Sequence, residues 1–256
     1  MPLVVTPAIV LSTLRYGDSS KVVRLATREH GVQSAIAKGA LRPRSRFGAS
    51  LQLLSEGRAE LVTREHRELQ TLTGFDVRAL RLGIGAEPRR FAAASALAEL
   101  MLRFGQPAAH PEAFDLLSHA LAVLEVTPPV AVEAVALRAL WQLVAAFGFA
   151  PSLEACARCG EEVPAEGAAA FSASEGGVLC ARCAVGHAGT RLPAEARADL
   201  TLLLAQSPEL PALDTAHAAA HRRLFVRWIQ AHLGAEAALP ALGHWQADGP
   251  AAPGRG

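Results

Sequence analysis

The sequence is poor in several features, and each shortage excludes a class of protein. Asparagine is absent, so the chain has no acceptor for N-glycosylation. No apolar run reaches the roughly 18 to 20 residues that a membrane span needs. The apolar N-terminus, MPLVVTPAIVLS, lacks a charged leader and a small-residue cleavage site. We therefore expect a cytoplasmic protein with no membrane partner.

Acidic residues are under-represented in the N-terminal third, although the whole chain has a net charge of only +1. Residues 1–80 contain 12 Lys and Arg against 7 Asp and Glu, which gives a net charge of +5. Residues 81–256 contain 13 Lys and Arg against 17 Asp and Glu, which gives a net charge of −4. The N-terminal third is therefore a candidate anion-binding module, and the rest of the chain is not.

Short β-rich runs follow one another through the first 75 residues. Val, Leu, Ile and Thr dominate VVTPAIVLSTLRY, KVVRLAT, VQSAIA, the run around LSEGRAELV, and LQTLT. Turn-like breaks separate them at residues 17–20, 30–31 and 64–67. Five short strands in so small a length predict a compact barrel with closed edges over residues 1–80.

Leu and Ala at helical spacing then replace the strand pattern. Helices are predicted in residues 87–104, 110–126 and 128–147, with Pro88, Pro111 and Pro129 near their starts, and again near 193–206 and 212–233. The fold class is thus α+β with several domains. The predicted boundaries are a barrel (1–80), a helical domain in two parts (81–150 and 191–245), a cysteine-bearing insert (151–190) and a disordered tail (246–256).

All four cysteines fall in that insert, as Cys156-Ala-Arg-Cys159 and Cys180-Ala-Arg-Cys183. Two Cys-x-x-Cys turns at this separation match a structural Zn²⁺ site in which four thiolates surround one ion. A pair of disulfides and a redox dithiol are the alternatives. A cytoplasmic location disfavours disulfides. The presence of two Cys-x-x-Cys motifs disfavours a redox dithiol. Arg158 and Arg182 occupy equivalent positions in the two turns and are predicted to offset the negative charge.

No arrangement of residues predicts catalysis. Gly83-Ile-Gly85 begins like a dinucleotide fingerprint but has Pro88 at the place of the third glycine. Neither a phosphate-binding loop nor a Gly-x-Ser-x-Gly elbow is present. His217 and His221 have metal-ligand spacing on a helix but lack a third ligand, so we interpret them as surface or partly buried histidines. The chain is predicted to be a binding protein without a small-molecule substrate.

Two basic features are candidates for binding. Residues 35–46, AIAKGALRPRSR, contain four cations and no acid, and join two predicted strands. The helix near 212–233 has Arg223, Arg227 and Gln230 on one face and an apolar stripe on another. Solvated surface is the ordinary explanation of both. The alternatives are contact with an anionic polymer for the loop, and a basic-rimmed groove for an acidic, apolar-ended peptide for the helix.

The order of short motifs resembles that of the RecO family of bacterial recombination mediators. The N-terminal motifs are LRYGD (14–18), TREHG (27–31), AKGA (37–40) and RPRSR (42–46). Downstream come the CxxCG motif, Phe171-Ser172, Gly176-Gly177, the second CxxC motif and the HLG at 232–234. The resemblance spans about residues 3–245.

This resemblance implies an N-terminal OB-fold and a C-terminal helical domain that carries a zinc finger. It also implies binding to single- and double-stranded DNA, strand annealing, and loading of RecA with the partner RecR onto strands coated by single-stranded DNA-binding protein (SSB). The acidic C-terminal tail of SSB would be recognised by the helical domain, where Arg223 and Arg227 are the candidates. The protein would be nucleoid-associated. The predicted DNA-binding residues are Lys21, Arg24, Arg28, Lys38, Arg42, Arg44 and Arg46.

Two other functions are consistent with parts of the pattern. One is a zinc-ribbon adaptor that binds RNA or protein in transcription or translation. The other is a zinc-dependent nucleic-acid hydrolase, which is disfavoured because four cysteines leave no coordination position for a catalytic water.

Overall fold

The computed structural model describes residues 2–64, 67–186, 189–233 and 239–247. The chain divides into two compact units, Met1–Pro129 and Val130–Gly256. The first contains five strands and three helices, and the second contains three short strands and five helices, counted over these described residues. The domain boundaries predicted from the sequence stay predictions.

The five strands of the first unit form a closed barrel. They are β1 (Leu3–Tyr16), β2 (Ser20–Thr27), β3 (Gly31–Ala37), β4 (Glu56–Val62) and β5 (Leu69–Ala79). The spatial order is β1-β2-β3-β5-β4, with β4 returning to pair with β1. The β3–β5 pair is parallel and the other pairs are antiparallel. The predicted OB-like barrel is confirmed.

Alternation of apolar residues along these strands fills the barrel. Val10, Val23 and Leu25 are fully buried, and alanines supply much of the remaining lining. The connection between β3 and β4 closes one end, because its Ala40, Phe47 and Leu51 belong to the same buried cluster. Consecutive tight turns carry the chain through this connection, with Arg42 N donating to Gly39 O and Ser45 N to Arg42 O.

Three helices follow the barrel: α1 (Leu82–Gly85), α2 (Pro88–Phe104) and α3 (Pro111–Val126). Each of the two longer helices begins with proline, and a preceding side chain caps it: Glu87 accepts from Arg90 N, and His110 from Ala113 N. The half-buried Arg81 joins strand to helix, because its guanidinium pairs with Glu56 of β4 and Glu125 of α3.

The second unit is built on α4 (Val132–Ala146), α6 (Ala194–Leu204), α7 (Thr215–Leu233) and α8 (Pro240–Ala247). Between α4 and α6 lie β6 (Ala169–Ser172), β7 (Gly177–Leu179), α5 (Ala181–Ala184) and β8 (Thr190–Leu192), with the sheet order β7-β6-β8. Trp141 of α4 packs edge-on against Phe225 of α7 with ring centroids 4.9 Å apart. The apolar stripe of α7 is therefore core.

The predicted helices correspond to α2, α3, α4, α6 and α7, each within a few residues at its ends. Helix α8 was not predicted, and it includes the first two residues of the predicted tail. Residues 248–256 of that tail, residues 65–66 of the predicted turn and Gly234 of the HLG motif lie outside the described residues. None of the described helices is both long and apolar enough to span a bilayer.

A close approach at the start of β3 gives the first prediction. Gly31 has φ +63°, and a Cβ there would overlap the carbonyl oxygens of Gln106 and Ala108. Gly17 has φ +57°, yet a Cβ there would meet no atom within 4 Å. We expect Gly17→Ala to lower the free energy of unfolding by about 1–2 kcal/mol, the usual cost of a left-handed residue. Gly31→Ala should cost at least about 3 kcal/mol because overlap with backbone adds to that strain.

Urea unfolding of the two variants beside the unsubstituted chain measures both values. Since the two glycines share the same backbone region, the difference between them isolates the packing of residues 106–108 on β3. Equal losses would contradict this packing.

Candidate nucleic-acid interface and metal centre

Four of the predicted DNA-binding residues lie on the β3–β4 connection, which we call the basic loop (residues 38–46). The side chains of Lys38, Arg42, Arg44 and Arg46 are exposed. Arg46 Nη1 donates to Thr73 O of β5 at 3.1 Å, and Leu41 N donates to Ser19 O of the β1–β2 turn at 2.9 Å. The loop is therefore attached to the barrel on both sides while its cations face solvent.

Buried residues fix the base of the basic loop. Ala40 and Phe47 are 7% and 3% exposed and lie in the barrel core. Lys21 of β2 reaches the same end of the barrel, since its Nζ donates to Leu51 O at 3.3 Å. Lys21 also pairs in register with Ala37, the residue before Lys38. The structure thus brings five of the seven predicted cations to one end of the barrel.

Arg28 lies elsewhere, and a carboxylate already offsets its charge. Its Nε and Nη2 donate to the two carboxylate oxygens of Asp115 at 2.9 and 2.8 Å. This paired hydrogen bond, together with the opposite charge, raises the pKa of Arg28 and lowers that of the Asp115 carboxyl. DNA that contacts Arg28 would have to compete with Asp115, and the role of Arg28 in DNA binding stays a prediction.

Arg24 also lies apart, in a groove that the sequence did not predict. A cavity of about 620 Å³ is lined by Arg24 of β2, Gln33 and Ser34 of β3, and Arg64, Arg67 and Gln70 of the β4–β5 connection and the start of β5. We call these six residues the arginine groove. The sequence predicts only a turn at residues 64–67, although two arginines three residues apart in a strand connection indicate a cationic surface.

Few aromatic side chains are available for base stacking on the barrel. Of the three aromatic residues in residues 1–80, Tyr16 is 55% exposed, whereas Phe47 and Phe75 are buried. An OB-fold that stacks bases needs aromatic platforms on its surface. The barrel offers cations in greater number, so its chemistry favours phosphates over bases.

The four cysteines converge on one point in the second unit. Their sulfur atoms all lie within 4.8 Å of one another, and Cys159 Sγ is 3.8 Å from Cys180 Sγ. Four sulfurs bound tetrahedrally at about 2.3 Å to one ion would be about 3.8 Å apart. The set therefore fits a single metal ion with four thiolate ligands. Within the described ranges it is the one cluster of three or more metal-ligating side chains.

Backbone hydrogen bonds within the protein fix the two cysteine turns. Gly160 N donates to Cys156 O, and Ala184 N donates to Cys180 O. The backbone N–H of Cys180 lowers the pKa of Cys156 to about 6, whereas a hydrogen bond with Cys159 and burial raise the pKa of Cys183 to about 12. Metal binding requires all four thiols to lose their protons, so affinity will increase with pH.

Arg182 lies beside the metal centre, as the sequence predicted. Its Nη2 is 3.8 Å from Cys159 Sγ and 3.4 Å from a carboxylate oxygen of Glu161. The pKa of Arg182 is raised by the hydrogen bond to Cys159 first and the charge of Glu161 second. The corresponding role of Arg158 stays a prediction.

We call the cysteine-bearing insert (151–190) the cysteine module. Two contacts attach it to the helices of its unit. The buried Arg197 of α6 donates to Val163 O at 2.7 Å and to Pro164 O at 2.5 Å. Phe171 of β6 packs against Trp228 of α7 with ring centroids 5.6 Å apart. The module is therefore joined to both α6 and α7.

On α7, the two faces differ as predicted. Arg223, Arg227 and Gln230 are exposed, whereas Phe225 and Trp228 are buried.

His217 and His221 of α7 belong to no metal cluster in the part of the chain that the structure describes. Each pairs with a carboxylate: His217 with Asp214 at 3.0 Å, and the buried His221 with Asp199 at 3.3 Å.

Comparison with known proteins gives a consistent result over both units. Residues 1–81 match the family model for the recombination protein O N terminal, and residues 86–238 match that for its C terminal. A DNA repair protein RecO from Anaeromyxobacter dehalogenans (strain 2CP-C) is 39% identical over 88% of this chain and 90% of its own length. Another, from Rubrobacter xylanophilus, is 34% identical over 93% of both chains. A third, from Geobacter metallireducens, is 36% identical over 75% of this chain and 77% of its own.

The contacts of Arg182 yield a prediction about metal affinity. We expect the chain to bind one Zn²⁺ ion, and Arg182→Gln to weaken that affinity by up to about tenfold, since outer contacts tune thiolate ligands. Competition against a chelating dye measures both quantities. Arg191→Gln is the matched control because Arg191 lies on β8, at the opposite edge of the sheet from β7 and Cys180. If both variants lose affinity equally, the effect is one of net charge and not of the Arg182 contact.

Proposed function

The chain belongs to the RecO family of DNA repair proteins, and from this membership we propose that it is a non-enzymatic recombination mediator. It would bind single- and double-stranded DNA and anneal complementary strands. The observation that carries the proposal is the group of Lys21, Lys38, Arg42, Arg44 and Arg46 at one end of an OB-like barrel.

Contacts to phosphates would outweigh contacts to bases, which favours strand annealing. Cations on a closed barrel attract phosphates regardless of sequence. Because Tyr16 is the exposed aromatic among the three of the barrel region, base stacking would contribute little. A strand held by its phosphates keeps its base edges free to pair with a complementary strand.

Three protein partners complete the proposed function. RecR would act with this chain to load RecA onto SSB-coated DNA, and the SSB C-terminal tail would bind in the helical unit. Exposed Arg223 and Arg227 on α7 support the second contact, since they offer two cations to an acidic tail. The basic loop is available to DNA, to RecR, or to each in turn. The location would be the cytoplasm, in association with the nucleoid.

We propose Zn²⁺ as the ion of the cysteine centre. Four thiolates in a tetrahedral set are the ligands that zinc favours in structural sites. Cys156, Cys159, Cys180 and Cys183 would hold it and leave no position for a reacting water. The role would therefore be structural. A zinc-ribbon adaptor for RNA or protein is the second candidate, since the cysteine module alone is compatible with it.

Annealing of complementary oligonucleotides, with and without SSB, tests the proposed function. We expect annealing without strand cleavage. Binding of a single strand should weaken with salt at a log–log slope of about −3 if four phosphates are neutralised. Binding to RNA alone would favour the adaptor, and metal-dependent degradation would favour a hydrolase. A flat salt response would contradict binding through phosphates.

Two charge-reversed variants separate the partners. Lys38→Glu with Arg42→Glu should weaken single-strand binding by at least tenfold, because each change removes an attraction and adds a repulsion. Its affinity for an SSB tail peptide should be unchanged. Arg223→Glu with Arg227→Glu should show the reverse pattern. Fluorescence anisotropy with labelled oligonucleotide and labelled peptide measures both, and a RecR pull-down on the same variants assigns the basic loop.

Each variant is the charge-matched control for the other. If Arg223→Glu with Arg227→Glu leaves peptide affinity unchanged, α7 is not the tail-binding surface. If Lys38→Glu with Arg42→Glu leaves DNA affinity unchanged but abolishes RecR association, the basic loop binds RecR and not DNA.

A further inference from the structure

The four thiols of the metal centre differ in their access to solvent. Cys156 and Cys180 are only 2% and 7% exposed, and Cys183 is half-buried. Cys159 is the exposed member of the set. The reaction of a cysteine with an oxidant depends on its exposure and on its thiolate character. A dissolved oxidant therefore reaches this centre first at Cys159.

The geometry of the first cysteine turn accounts for this difference. Ala157 N, one residue after the buried Cys156, donates to Val178 O of β7 at 2.8 Å, so the start of the turn lies against the sheet. Gly160 follows Cys159 and has φ +76°, which turns the chain away. A Cβ on Gly160 would meet no atom within 4 Å beyond its chain neighbours. The end of the turn that carries Cys159 is therefore at the open surface.

The side chains beside Cys159 do not cover it. Arg182 Nη2 lies 3.8 Å from Cys159 Sγ and 3.4 Å from a carboxylate oxygen of Glu161. The Arg182 and Glu161 side chains are themselves 77% and 56% exposed, so the pair is solvated. A metal ion would hold the sulfurs as thiolates, which is the form that attacks an oxidant. The site thus combines a reactive form of sulfur with an open approach.

A second thiol lies within reach of Cys159 and belongs to the other cysteine turn. Cys159 Sγ is 3.8 Å from the sulfur of Cys180, which is the residue that precedes α5. Because a disulfide has a sulfur–sulfur distance of about 2 Å, a movement of about 2 Å would close this pair. Burial of Cys180 shields it from a dissolved oxidant but not from its neighbour.

From these observations we propose that the metal centre is a redox modification site, at which hydrogen peroxide oxidises Cys159 and Cys180 then forms a disulfide with it. The metal ion would lose two of its four ligands and dissociate. The inference goes beyond the proposed function in DNA repair. It rests only on the metal occupancy proposed for the four cysteines.

The reaction balances in two steps. The Cys159 thiolate attacks one oxygen of hydrogen peroxide, so that an S–O bond forms, the O–O bond breaks and the departing hydroxide is protonated to water. Peroxide has then taken two electrons, and Cys159 is a sulfenic acid. The Cys180 thiolate attacks this sulfur, so that the S–S bond forms and a second hydroxide leaves and is protonated. A dithiol reductant would reverse the modification by thiol–disulfide exchange.

The full-length chain loaded with Zn²⁺ tests the proposal. Hydrogen peroxide is added in the presence of a chelating dye, a sample without peroxide gives the baseline, and mass spectrometry of peptides locates the disulfide. We expect one ion to be released for each peroxide consumed, a disulfide between Cys159 and Cys180, and recovery of zinc binding after a dithiol reductant. A sulfenic-acid trap added with the peroxide should label Cys159.

Cys159→Ser and Cys183→Ser are matched variants, because each removes one of the four thiolates. With zinc in excess, Cys183→Ser should still form the disulfide between Cys159 and Cys180, at a rate within about twofold of that of the unsubstituted chain. Cys159→Ser should be oxidised at least about tenfold more slowly, since its remaining thiols are buried or half-buried. Mapping of the unsubstituted chain does not depend on the folding of either variant.

Several outcomes would overturn the proposal. They are a disulfide between another pair, a sulfenic acid trapped first at Cys183, zinc release without oxidation of Cys159, and equal oxidation rates in the two variants. If the chain binds no zinc, the metal proposal fails instead, and peroxide treatment of the metal-free chain still decides whether Cys159 and Cys180 pair. None of these measurements uses DNA, so failure here is distinguishable from failure of the proposed function.

Discussion

Closure of the barrel is the constraint on which the first unit depends. Strand β1 pairs with β4 along Leu3–Ile9 and with β2 along Ala8–Tyr16, and the register shifts between Val10 and Ser12. One long strand with a bulge therefore belongs to both edges of the sheet, and each strand of the barrel has a neighbour on both sides. Once every strand is paired, side chains can bind a partner only from the outer face and from the loops at each end. Those are the places where the cations lie.

The two cationic regions follow from this closure. Small inward residues such as Ala35 and Ala37 leave space in the barrel, and the β3–β4 connection fills it with Phe47 and Leu51. This burial holds the ends of the basic loop while its cations stay in water. On the outer face, Arg24 stands on the sheet and Gln70 holds the Arg64–Arg67 turn beside it. A single architectural requirement thus leaves cations both on an exposed loop and beside a concavity on the outer face.

Local sequence patterns predicted the strands and helices well. The features that they did not predict depend on contacts between residues distant in sequence. Alternation identified the five strands because each has one face in the barrel core. The spacing of Cys156, Cys159, Cys180 and Cys183 predicted their convergence because a metal centre imposes that spacing. The pairing of Arg28 with Asp115 was not predictable, since 87 residues separate them and neither lies in a motif. The groove was missed for the same reason: Arg24 and Arg67 meet only when β2, β3 and β5 are in register.

The cysteine module depends on its surroundings more than the barrel does. Its strands β6, β7 and β8 contain four, three and three residues, too few to form an independently stable sheet. Arg197 and Phe171 join it to α6 and α7, and an ion held by the four thiolates would stabilise it further. Phe171 packs on Trp228, and Trp228 is one residue from Arg227 on the exposed face of α7. A metal ion in this module would therefore stabilise a part of the unit that packs directly on the helix that presents Arg223 and Arg227.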